Sequence, residues 1–294
     1  MATPRLLGLG ELLWDLLPDG RQLGGAPANF AYHACALGGR GAVASCVGDD
    51  PLGREALERL DGLGVDRSAV AVDPERPTGT VSVALDAAGQ PSYTIHEGVA
   101  WDAIPASGAL LDRAAAADAI CFGSLAQRSA ASRATLRRAL DAAQPACLRV
   151  FDINLRQAYY DRDVILASLE QADAFKVNDE ELPVVARLLD LPAQTRPAME
   201  ALRARFDLRW VALTRGAAGS LLLADGAWAE HPGEPVATVA DTVGAGDAFT
   251  AALALGTLLG QAPEVRNAHA NRVAAFVCAA AGATPALPEA LRLA

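Results

Sequence analysis

Residues 241–260 of this 294-residue chain read DTVGAGDAFTAALALGTLLG. Beyond Gly246 the segment is apolar at nearly every position up to Leu259, which predicts a helix from about Asp247 that is buried on every face. Small residues before such a helix expose consecutive backbone N–H groups, and the helix dipole adds partial positive charge there. Gly244, Ala245 and Gly246 therefore predict an anion pocket inside the protein.

Asp247 follows this pocket and has two interpretations. An aspartate at the start of a helix commonly caps backbone N–H groups, which stabilises the helix by about 1 kcal/mol. A carboxylate beside an anion pocket also suits phosphoryl transfer, in which it takes the proton of an attacking hydroxyl. In either case we expect the helix dipole to keep Asp247 ionised and weakly basic.

On both sides of this segment, short apolar runs alternate with helical stretches. The predicted strands are Arg5–Gly10, Ala42–Val47, Asp118–Phe122, Leu148–Asp152, Asp173–Val177, Trp210–Thr214 and Ser220–Ala224. The predicted helices include residues 28–37, 52–60, 130–142, 164–170 and 198–206. This alternation predicts an α/β fold with a mainly parallel sheet and helices on both faces, which binds ligands at the carboxyl ends of its strands.

One region departs from this alternation. Residues 78–85 and 91–96 alternate in polarity on either side of a turn at Ala87–Gln90, which predicts a β-hairpin. The hairpin is either a lid over the site or an edge meander. Because no repeat or linker divides the chain, we expect a single domain over residues 1–294, with lid elements at about 12–24 and 78–97.

Composition excludes several classes of protein. Asp and Glu number 35 against 25 Lys and Arg, a net charge of −10, so no positive field would attract nucleic acid. The five scattered cysteines do not form the spacing of a disulfide framework or a zinc site. The N-terminus lacks the apolar core of a signal peptide, and residues 248–259 are too short for a membrane span of roughly 20 residues. We therefore expect a cytoplasmic protein with no membrane or nucleic-acid partner.

Rival motifs for nucleotide binding and hydrolysis are missing. The chain has 24 arginines and one lysine, Lys176, which follows Phe175 rather than the glycine of a P-loop. In a dinucleotide fingerprint that begins at Gly8 or at Gly244, the third glycine is replaced by Leu13 or Phe249. The G-x-S-x-G and H-E-x-x-H motifs of common hydrolases are also absent.

Three blocks occur in a specific order along the chain: GGAPAN at 24–29, VGDDPLG at 47–53 and DTVGAGDAF at 241–249. With these blocks the sequence resembles the ribokinase-like (PfkB) sugar kinases over nearly its whole length. The resemblance implies an enzyme that uses ATP and Mg²⁺ to phosphorylate a primary hydroxyl of a small sugar. A non-catalytic sugar or nucleotide sensor on the same fold is the alternative of a different class.

The resemblance also assigns the reacting and sugar-binding residues. Asp247 matches the catalytic base of the family, and Gly244, Ala245 and Gly246 match its anion hole. Asp15, Gly25 and Asn29 match contacts to sugar hydroxyls, with Gly25 admitting the sugar ring close to the backbone. Asp15 is alternatively a turn residue, and Asn29 is alternatively the cap of the following helix.

Further residues resemble the nucleotide and cation sites of the family. Asn178 and Glu181 match an N-x-x-E motif that holds Mg²⁺ through water, or else begin a helix. The resemblance also points to an ATP loop, an adenine contact and a monovalent cation such as K⁺; the residues are Thr214, Gly216 and Gly219 for the loop, Asn271 for adenine, and Asp241 with the Val243 carbonyl for the cation. Lys176 either reaches a phosphate or is a charge at the rim of the site. Ala286 stands where potassium-activated relatives often have serine, which leaves activation open.

The acceptor is indicated by two short motifs. Asp152, Asn154 and Arg156 form the D-x-N-x-R of fructokinases and 2-keto-3-deoxygluconate kinases, and Ala26-Pro27 is typical of fructokinases. D-fructose is therefore the leading acceptor; 2-keto-3-deoxygluconate, another ketose, a polyol or a nucleoside are the alternatives. An acidic acceptor would need Arg156 or Arg128, and Arg156 alternatively neutralises Asp152.

Departures from the family pattern affect the lid. Eight residues separate Asp15 from Gly24, fewer than the first lid strands of relatives suggest, so we expect a shortened lid. That leaves both sugar closure and a homodimer formed through the lid open. The segment His96–Asp102 follows the hairpin, so His96, Glu97 or Trp101 is a candidate to face the sugar, whereas His33 and His269 are interpreted as structural.

Overall fold

The computed structural model describes residues 2–17, 20–85 and 91–293. The strands of this part of the chain are β1 Arg5–Leu9, β2 Leu13–Leu17, β3 Gly20–Gly24, β4 Arg40–Gly48, β5 Asp66–Asp73, β6 Gly79–Leu85, β7 Pro91–Ile95, β8 Ala119–Phe122, β9 Leu148–Asp152, β10 Ala174–Asn178, β11 Trp210–Thr214, β12 Ser220–Ala224 and β13 Ala227–His231. The helices are α1 Ala26–Ala36, α2 Pro51–Gly62, α3 Gly108–Ala116, α4 Ala130–Ala142, α5 Arg162–Gln171, α6 Glu181–Leu188, α7 Thr195–Arg205, α8 Ala245–Leu258 and α9 Pro263–Cys278.

The main sheet has nine strands in the order β13-β12-β11-β10-β9-β8-β1-β4-β5. The seven strands from β11 to β5 pair in parallel, and β12 and β13 add an antiparallel edge. This confirms the predicted mainly parallel sheet. Two strands, β5 and β13, were not predicted, because DRSAVAVD and AWAEH carry charged residues and form half-exposed edges of the sheet.

Helices cover both faces of the main sheet. Residues of α1, α8 and α9 pack on one face, and residues of α3 to α7 pack on the other. Leu253 and Leu255 of α8 are fully buried, and removing such side chains from water stabilises the fold by about 1.5–3 kcal/mol each. The prediction of a helix buried on all faces is confirmed.

α1 approaches the sheet closely because two glycines face it. A Cβ on Gly8 of β1 would lie 2.0 Å from the Pro27 carbonyl oxygen, and a Cβ on Gly41 of β4 would lie 1.9 Å from that of Ala31. No larger residue fits at either position without moving the helix. These two glycines therefore set the depth of α1, which carries Asn29 into the interior.

A second sheet has four strands in the order β3-β2-β6-β7. β2 pairs with β3 and β6 with β7 in antiparallel fashion, and the two hairpins join through parallel pairing of β2 with β6. The predicted hairpin is thus part of a four-stranded sheet. The other hairpin, β2 and β3, begins at Leu13, before Asp15, and ends at Gly24, so the short spacing still accommodates two strands of five residues. The predicted turn Ala87–Gln90 lies outside the described residues.

Within the described part of the chain, no helix combines the length and the apolar character that a bilayer span requires.

The five cysteines are free thiols, of which Cys46, Cys121 and Cys147 are buried. Burial is the main reason that the pKa of Cys46 rises to about 11 and that of Cys147 to about 12.

Candidate active site

A cavity lies at the carboxyl ends of β1, β8 and β9, where the loops after these strands meet the first turns of α1 and α8. It is lined by Glu11, Ala26, Pro27, Phe30, Cys121, Phe122, Gly123, Ser124, Leu125, Asp152, Asn154 and Asp247. Its position is the one predicted for ligands of a parallel sheet. The wall combines carboxyl groups with aromatic and aliphatic side chains, so it can meet both the hydroxyl groups and the C–H faces of a small polar ligand.

Asp247 occupies the third position of α8 and not the predicted first position, because the helix begins two residues earlier, at Ala245. Gly244 is the N-cap residue in a left-handed conformation with φ of 78°, and no side chain caps the helix. The interpretation of Asp247 as the cap is therefore wrong. Its Oδ2 instead accepts a hydrogen bond of 2.8 Å from Nδ2 of Asn29, 218 residues away in the sequence.

Asp247 is also more basic than predicted. Loss of surrounding water is the largest influence on its pKa, and together with the neighbouring charge of Asp152 it raises that pKa to about 6. The hydrogen bond from Asn29 and the charge of Lys176 act in the opposite direction. The expectation that Asp247 would be weakly basic is therefore wrong, because burial raises its pKa, although the carboxyl stays largely ionised at neutral pH.

The first turn of α8 is where the anion pocket was predicted. Ala245, Gly246 and Asp247 are its first three residues, whose N–H groups have no partner within the helix. Gly244 is required by close packing, since a Cβ there would lie 2.6 Å from the carbonyl oxygen of Ala283. A Cβ on Gly246 would meet only the Nζ of Lys176, at 3.1 Å, which leaves its other surroundings open.

Lys176 lies in the centre of the site, not at its rim. The residue is 6% exposed, and its Nζ lies 3.2 Å from Oδ1 of Asp152, whose Oδ2 accepts a 2.7 Å hydrogen bond from the Thr250 hydroxyl. Burial by itself would lower the pKa of Lys176, but the carboxylates of Asp152, Glu181 and Asp247 together raise it. Asp152 is thus neutralised by Lys176, and the alternative assignment of that role to Arg156 is wrong.

Asp15, predicted to bind sugar hydroxyls, lies in the middle of β2, opposite Gln22, and not in a turn. Its side chain is half-buried, and burial raises its pKa while the charge of Arg156 opposes the rise. Gly24 is adjacent, since a Cβ there would lie 2.5 Å from Asp15 Oδ2. The second sheet therefore presents this carboxylate from outside the main sheet.

The other predicted sugar contacts differ in position. Asn29 lies inside α1 and is buried, so the alternative interpretation as a helix cap is wrong. Asn154 lines the cavity with a left-handed φ of 43°. Arg156 is exposed, and its Nη1 donates to the Leu155 carbonyl. Gly25 has φ of 110°, and a Cβ there would lie 2.4 Å from the Glu11 carbonyl oxygen, so protein backbone fills the place of a side chain.

The N-x-x-E segment forms a compact turn before α6. Asn178 Oδ1 accepts hydrogen bonds from the N–H groups of Glu180 and Glu181, which confirms the helix-start interpretation. Glu181 is buried, and its two carboxylate oxygens accept from the N–H groups of Asn178 and Leu155. These bonds orient the carboxylate and leave lone pairs free to accept from water.

Thr214 to Gly219 connects β11 to β12 by way of a short 3₁₀ turn at Gly216–Ala218. Gly216 has φ of 53° and open space where a side chain would be, as expected for a loop that a ligand approaches. Gly219 has φ of 78°, and a Cβ there would lie 2.1 Å from the His231 carbonyl oxygen. The close approach at Gly219 is therefore to the protein's own backbone.

The residues predicted for adenine and for a monovalent cation also have protein partners. The Asn271 amide nitrogen lies 2.7 Å from Ser220 Oγ and donates to the Asn267 carbonyl at 2.8 Å. Asp241 Oδ1 accepts a 3.0 Å bond from the N–H of Val243, and its Oδ2 accepts a 3.3 Å bond from Gly282. Val243 itself is 46% exposed.

The segment His96–Asp102 joins the second sheet to the main body. Trp101 is fully buried in the core, so it does not face a sugar. Arg128 forms an ion pair with Asp102 at 2.8 Å, and its guanidinium lies 3.9 Å from the centre of the Trp101 ring. Arg128 is thus already neutralised. His96 Nε2 lies 2.7 Å from Ser82 Oγ, and Glu97 accepts from Tyr159 at the same distance.

The two histidines interpreted as structural are buried. His33 Nε2 lies 2.9 Å from the Ala283 carbonyl oxygen, and burial lowers the His33 pKa to about 4. Beside it, Tyr32 donates to the Pro285 carbonyl. α1 therefore holds the C-terminal segment against which Gly244 packs.

Glu11 is a cavity residue that the sequence analysis did not identify. It follows β1, is 4% exposed, and lines the same cavity as Asp152 and Asp247. The available signal was its placement: a single acidic residue between the apolar runs of β1 and β2, at the carboxyl end of a buried strand.

Several known proteins are similar to this chain in sequence and in architecture. Residues 20–290 match the pfkB family of carbohydrate kinases. The fructokinase of Klebsiella pneumoniae is 35% identical over 95% of this chain and 95% of its own. Among solved structures, a sugar kinase of Pyrococcus horikoshii superimposes with a TM-score of 0.82 at 29% identity, covering 95% of this chain and 93% of that one.

A fructokinase of Vibrio cholerae, in its fructose-, ADP- and calcium-bound form, superimposes with a TM-score of 0.83 at 26% identity and covers 98% of both chains. The family match spans most of the chain, and the Klebsiella relative is similar over nearly its full length. This chain is a sugar kinase and belongs to the pfkB family of carbohydrate kinases.

Proposed function

We propose that the protein transfers the γ-phosphoryl group of ATP to a primary hydroxyl of D-fructose, with Asp247 as the general base. The observation that carries the proposal is the position of Asp247, in the uncapped first turn of α8 and hydrogen-bonded by Asn29. A pKa of about 6 leaves this carboxylate largely ionised at neutral pH, yet more basic than an ordinary aspartate.

In the proposed reaction, Asp247 takes the proton of the acceptor hydroxyl as its oxygen forms a bond to the γ-phosphorus. The bond from that phosphorus to the bridging oxygen breaks, and ADP leaves. In this proposal the N–H groups of Gly244, Ala245 and Gly246 stabilise the transferred group at the positive end of α8, with the N–H of Ala245 shared with the Thr242 carbonyl at 3.4 Å. Lys176, close to Gly246, adds a positive charge to the same region.

Asn178 and Glu181 suit a Mg²⁺ ion held through water. Backbone N–H groups already orient both side chains, and their remaining lone pairs can accept from the water shell of a hard cation. Among the described residues no three His, Cys, Asp or Glu side chains cluster as a directly ligated metal would need. When bound, Mg²⁺ would neutralise charge on the phosphates. Asp241 and the Val243 carbonyl are proposed as ligands of a K⁺ ion.

The ATP would lie on the side of Thr214, Gly216, Gly219 and Asn271, with its phosphates towards Lys176, which stands between ATP and the acceptor. Gly216 offers open backbone, whereas Gly219 and Asn271 shape the loop through their own protein contacts. The proposal includes a cytoplasmic location, as expected for a consumer of ATP, and a homodimer as the assembly to be tested by light scattering.

A neutral acceptor suits the cavity better than an acidic one. Three carboxyl groups line it; Asp152 is paired with Lys176, but Glu11 and Asp247 form no ion pair among the described residues and would repel the carboxylate of 2-keto-3-deoxygluconate. Arg128 is already paired with Asp102. Of the two arginines considered for an acidic acceptor, this leaves only Arg156, which is exposed. Fructose, which carries hydroxyls and no charge, is consistent with these surroundings, as are the fructokinase relatives.

The test is ADP release with Mg-ATP across D-fructose, D-ribose, 2-keto-3-deoxygluconate, adenosine and myo-inositol. Fructose should give the highest kcat/KM, and Asp247→Asn should lower kcat on the order of 10³-fold while both substrates still bind. Asp112→Asn, a change at an exposed carboxylate of α3, is the matched control and should retain activity. Turnover of a different acceptor would overturn the fructose assignment and keep the base. Binding of sugar and ATP without turnover would favour a sensor.

A further inference from the structure

Glu11 has an unpartnered oxygen inside the cavity. Its Oε2 is buried and makes no hydrogen bond with any described residue. Of the other two carboxyl groups of the cavity, Asp247 accepts from Asn29, and Asp152 accepts from Thr250 through Oδ2. The Oδ1 of Asp152 also makes no hydrogen bond, but the charge of Lys176 lies 3.2 Å from it, whereas Glu11 forms no ion pair among the described residues. A buried polar atom without a partner is costly, so Oε2 indicates a contact that a ligand completes.

The surroundings of Glu11 place that contact in the acceptor cavity. Its backbone carbonyl packs against Gly25, at the first turn of α1, which holds the residue at the cavity wall. Pro27, Phe30 and Phe122 line the same cavity, and their apolar surfaces can cover the C–H groups of a sugar. A hydroxyl of the same sugar is the group that can hydrogen-bond the free oxygen.

The raised pKa of Glu11 agrees with a carboxyl group that lacks a hydrogen-bond partner. Burial raises the pKa of Glu11 to about 7, with a smaller rise from the charge of Asp247 and opposing effects from the N–H groups of Glu11 and Ala26 and from Arg156. Near neutral pH the carboxyl is therefore present in both protonation states. In the ionised state it accepts from a hydroxyl, and in the neutral state it donates to one.

We infer that Glu11 is a further acceptor-binding residue, which hydrogen-bonds an acceptor hydroxyl other than the one that Asp247 deprotonates and so selects among sugars. This inference rests on the proposed function, because it places the acceptor in this cavity. A site built to bond a hydroxyl rejects an analogue that lacks it more strongly than apolar packing does, since the protein group is left unpaired.

The experiment compares Glu11→Gln, which keeps hydrogen-bonding capacity, with Glu11→Met, which removes it at similar size. Glu200→Gln, at an exposed position of α7, is the control. For Glu11→Met we expect the KM for fructose to rise on the order of 10- to 100-fold, with the KM for Mg-ATP within about twofold, because one hydrogen bond to a charged group is lost. Glu11→Gln should recover most of the affinity.

A second measurement identifies the hydroxyl. Fructose analogues that lack one hydroxyl at a time are assayed against the wild type and Glu11→Met. One analogue should lose affinity for the wild type but bind Glu11→Met as well as fructose does, whereas the other analogues should be equally impaired in both proteins.

Some results would overturn the inference. An unchanged fructose KM in Glu11→Met, a parallel rise of both KM values, or equal losses for every analogue would each show that Glu11 does not bind the acceptor. In all three cases turnover by the wild type would leave the proposed function standing. A wild type without activity on any acceptor would overturn the proposed function, and this inference with it.

Discussion

The two sides of the site are built in different ways. The acceptor side, defined by Glu11, Asn29, Asp152, Lys176 and Asp247, consists of side chains from distant parts of the sequence, with Asn29 and Asp247 218 residues apart. The nucleotide side, defined by residues 178–181 and 214–219, consists of short turns. There Asn178 bonds residues two and three positions later, and Arg215 bonds Gly219.

This difference has chemical consequences. On the acceptor side, four ionisable groups share a poorly hydrated region, so each responds to its neighbours, and the pKa values of Glu11 and Asp247 rise. On the nucleotide side, backbone geometry determines the shape of the loop. We therefore expect substitutions on the acceptor side to change kcat and its pH dependence, and those on the nucleotide side to change the KM for ATP and the stability of the loop.

After the loss of the base Asp247, the largest effect on kcat should come from Lys176 on the acceptor side. Lys176→Met should lower kcat on the order of 100-fold and destabilise the protein by about 3–5 kcal/mol, because Asp152 is left buried and unpaired. A second change, Asp152→Asn, should recover the stability lost but not the kcat. Thermal unfolding and steady-state kinetics on both variants would test this. Joint recovery of activity and stability would show that Lys176 has only a structural role.

On the nucleotide side, a substitution at Gly219 should lower the stability of the protein most. Gly219→Ala should cost about 2–3 kcal/mol in unfolding free energy, because its φ of 78° disfavours a side chain and a Cβ would collide with the His231 carbonyl. Gly216→Ala, with φ of 53° and open space, should cost about 1 kcal/mol. Denaturant titration of the two variants measures the difference. Equal losses would contradict the assignment of the close approach to Gly219.

The raised pKa of Asp247 predicts a pH-dependent stability. Its pKa is about 6 in the folded protein against 3.8 for the free side chain, so its favourable contribution is complete below pH 3.8 and lost as pH rises through 6. Asp247→Asn should therefore be more stable than the wild type at pH 8, by about 3 kcal/mol, and equally stable near pH 4. The control Asp112→Asn should show no such difference between pH 4 and pH 8. Unfolding curves of the three proteins across this pH range measure the difference in stability.

The smallest effect should come from Asn29. Its hydrogen bond lowers the pKa of Asp247, so Asn29→Leu should move the acidic limb of the kcat profile to higher pH. Activity at pH 6 should fall about tenfold relative to the wild type, with a smaller difference at pH 8, where the carboxylate is ionised in both proteins. A uniform loss at all pH values would instead show that Asn29 acts through the shape of the cavity.

Much of the architecture followed from local patterns. Apolar runs such as Trp210–Thr214 and Ser220–Ala224 were predicted to the residue, because a strand buried on both faces is apolar at nearly every position. The half-exposed edge strands β5 and β13 were missed, since their mixed composition also suits loops. The start of α8 was placed two residues late, because the N-cap is Gly244 in a left-handed conformation and the helix begins directly after it.

The site was predictable in its residue types and not in its contacts. Asp247, Asn29 and Asp152 were named from motifs, but their partners come from other segments, and the alternatives for Asn29 and Arg156 could be decided only in three dimensions. Glu11 was missed because a single acidic residue after a strand has no motif of its own. Its significance comes from its burial and its free oxygen.

By itself, the sequence determined the parallel sheet, the buried helix α8 and the glycine-rich turn before it, because hydrophobic periodicity and small residues act over a few neighbouring positions. Only the tertiary structure decided which carboxyl groups share one cavity, which of them Lys176 neutralises and how basic Asp247 becomes. Those properties depend on distance and on the exclusion of water between segments far apart in the chain, and neither quantity is local.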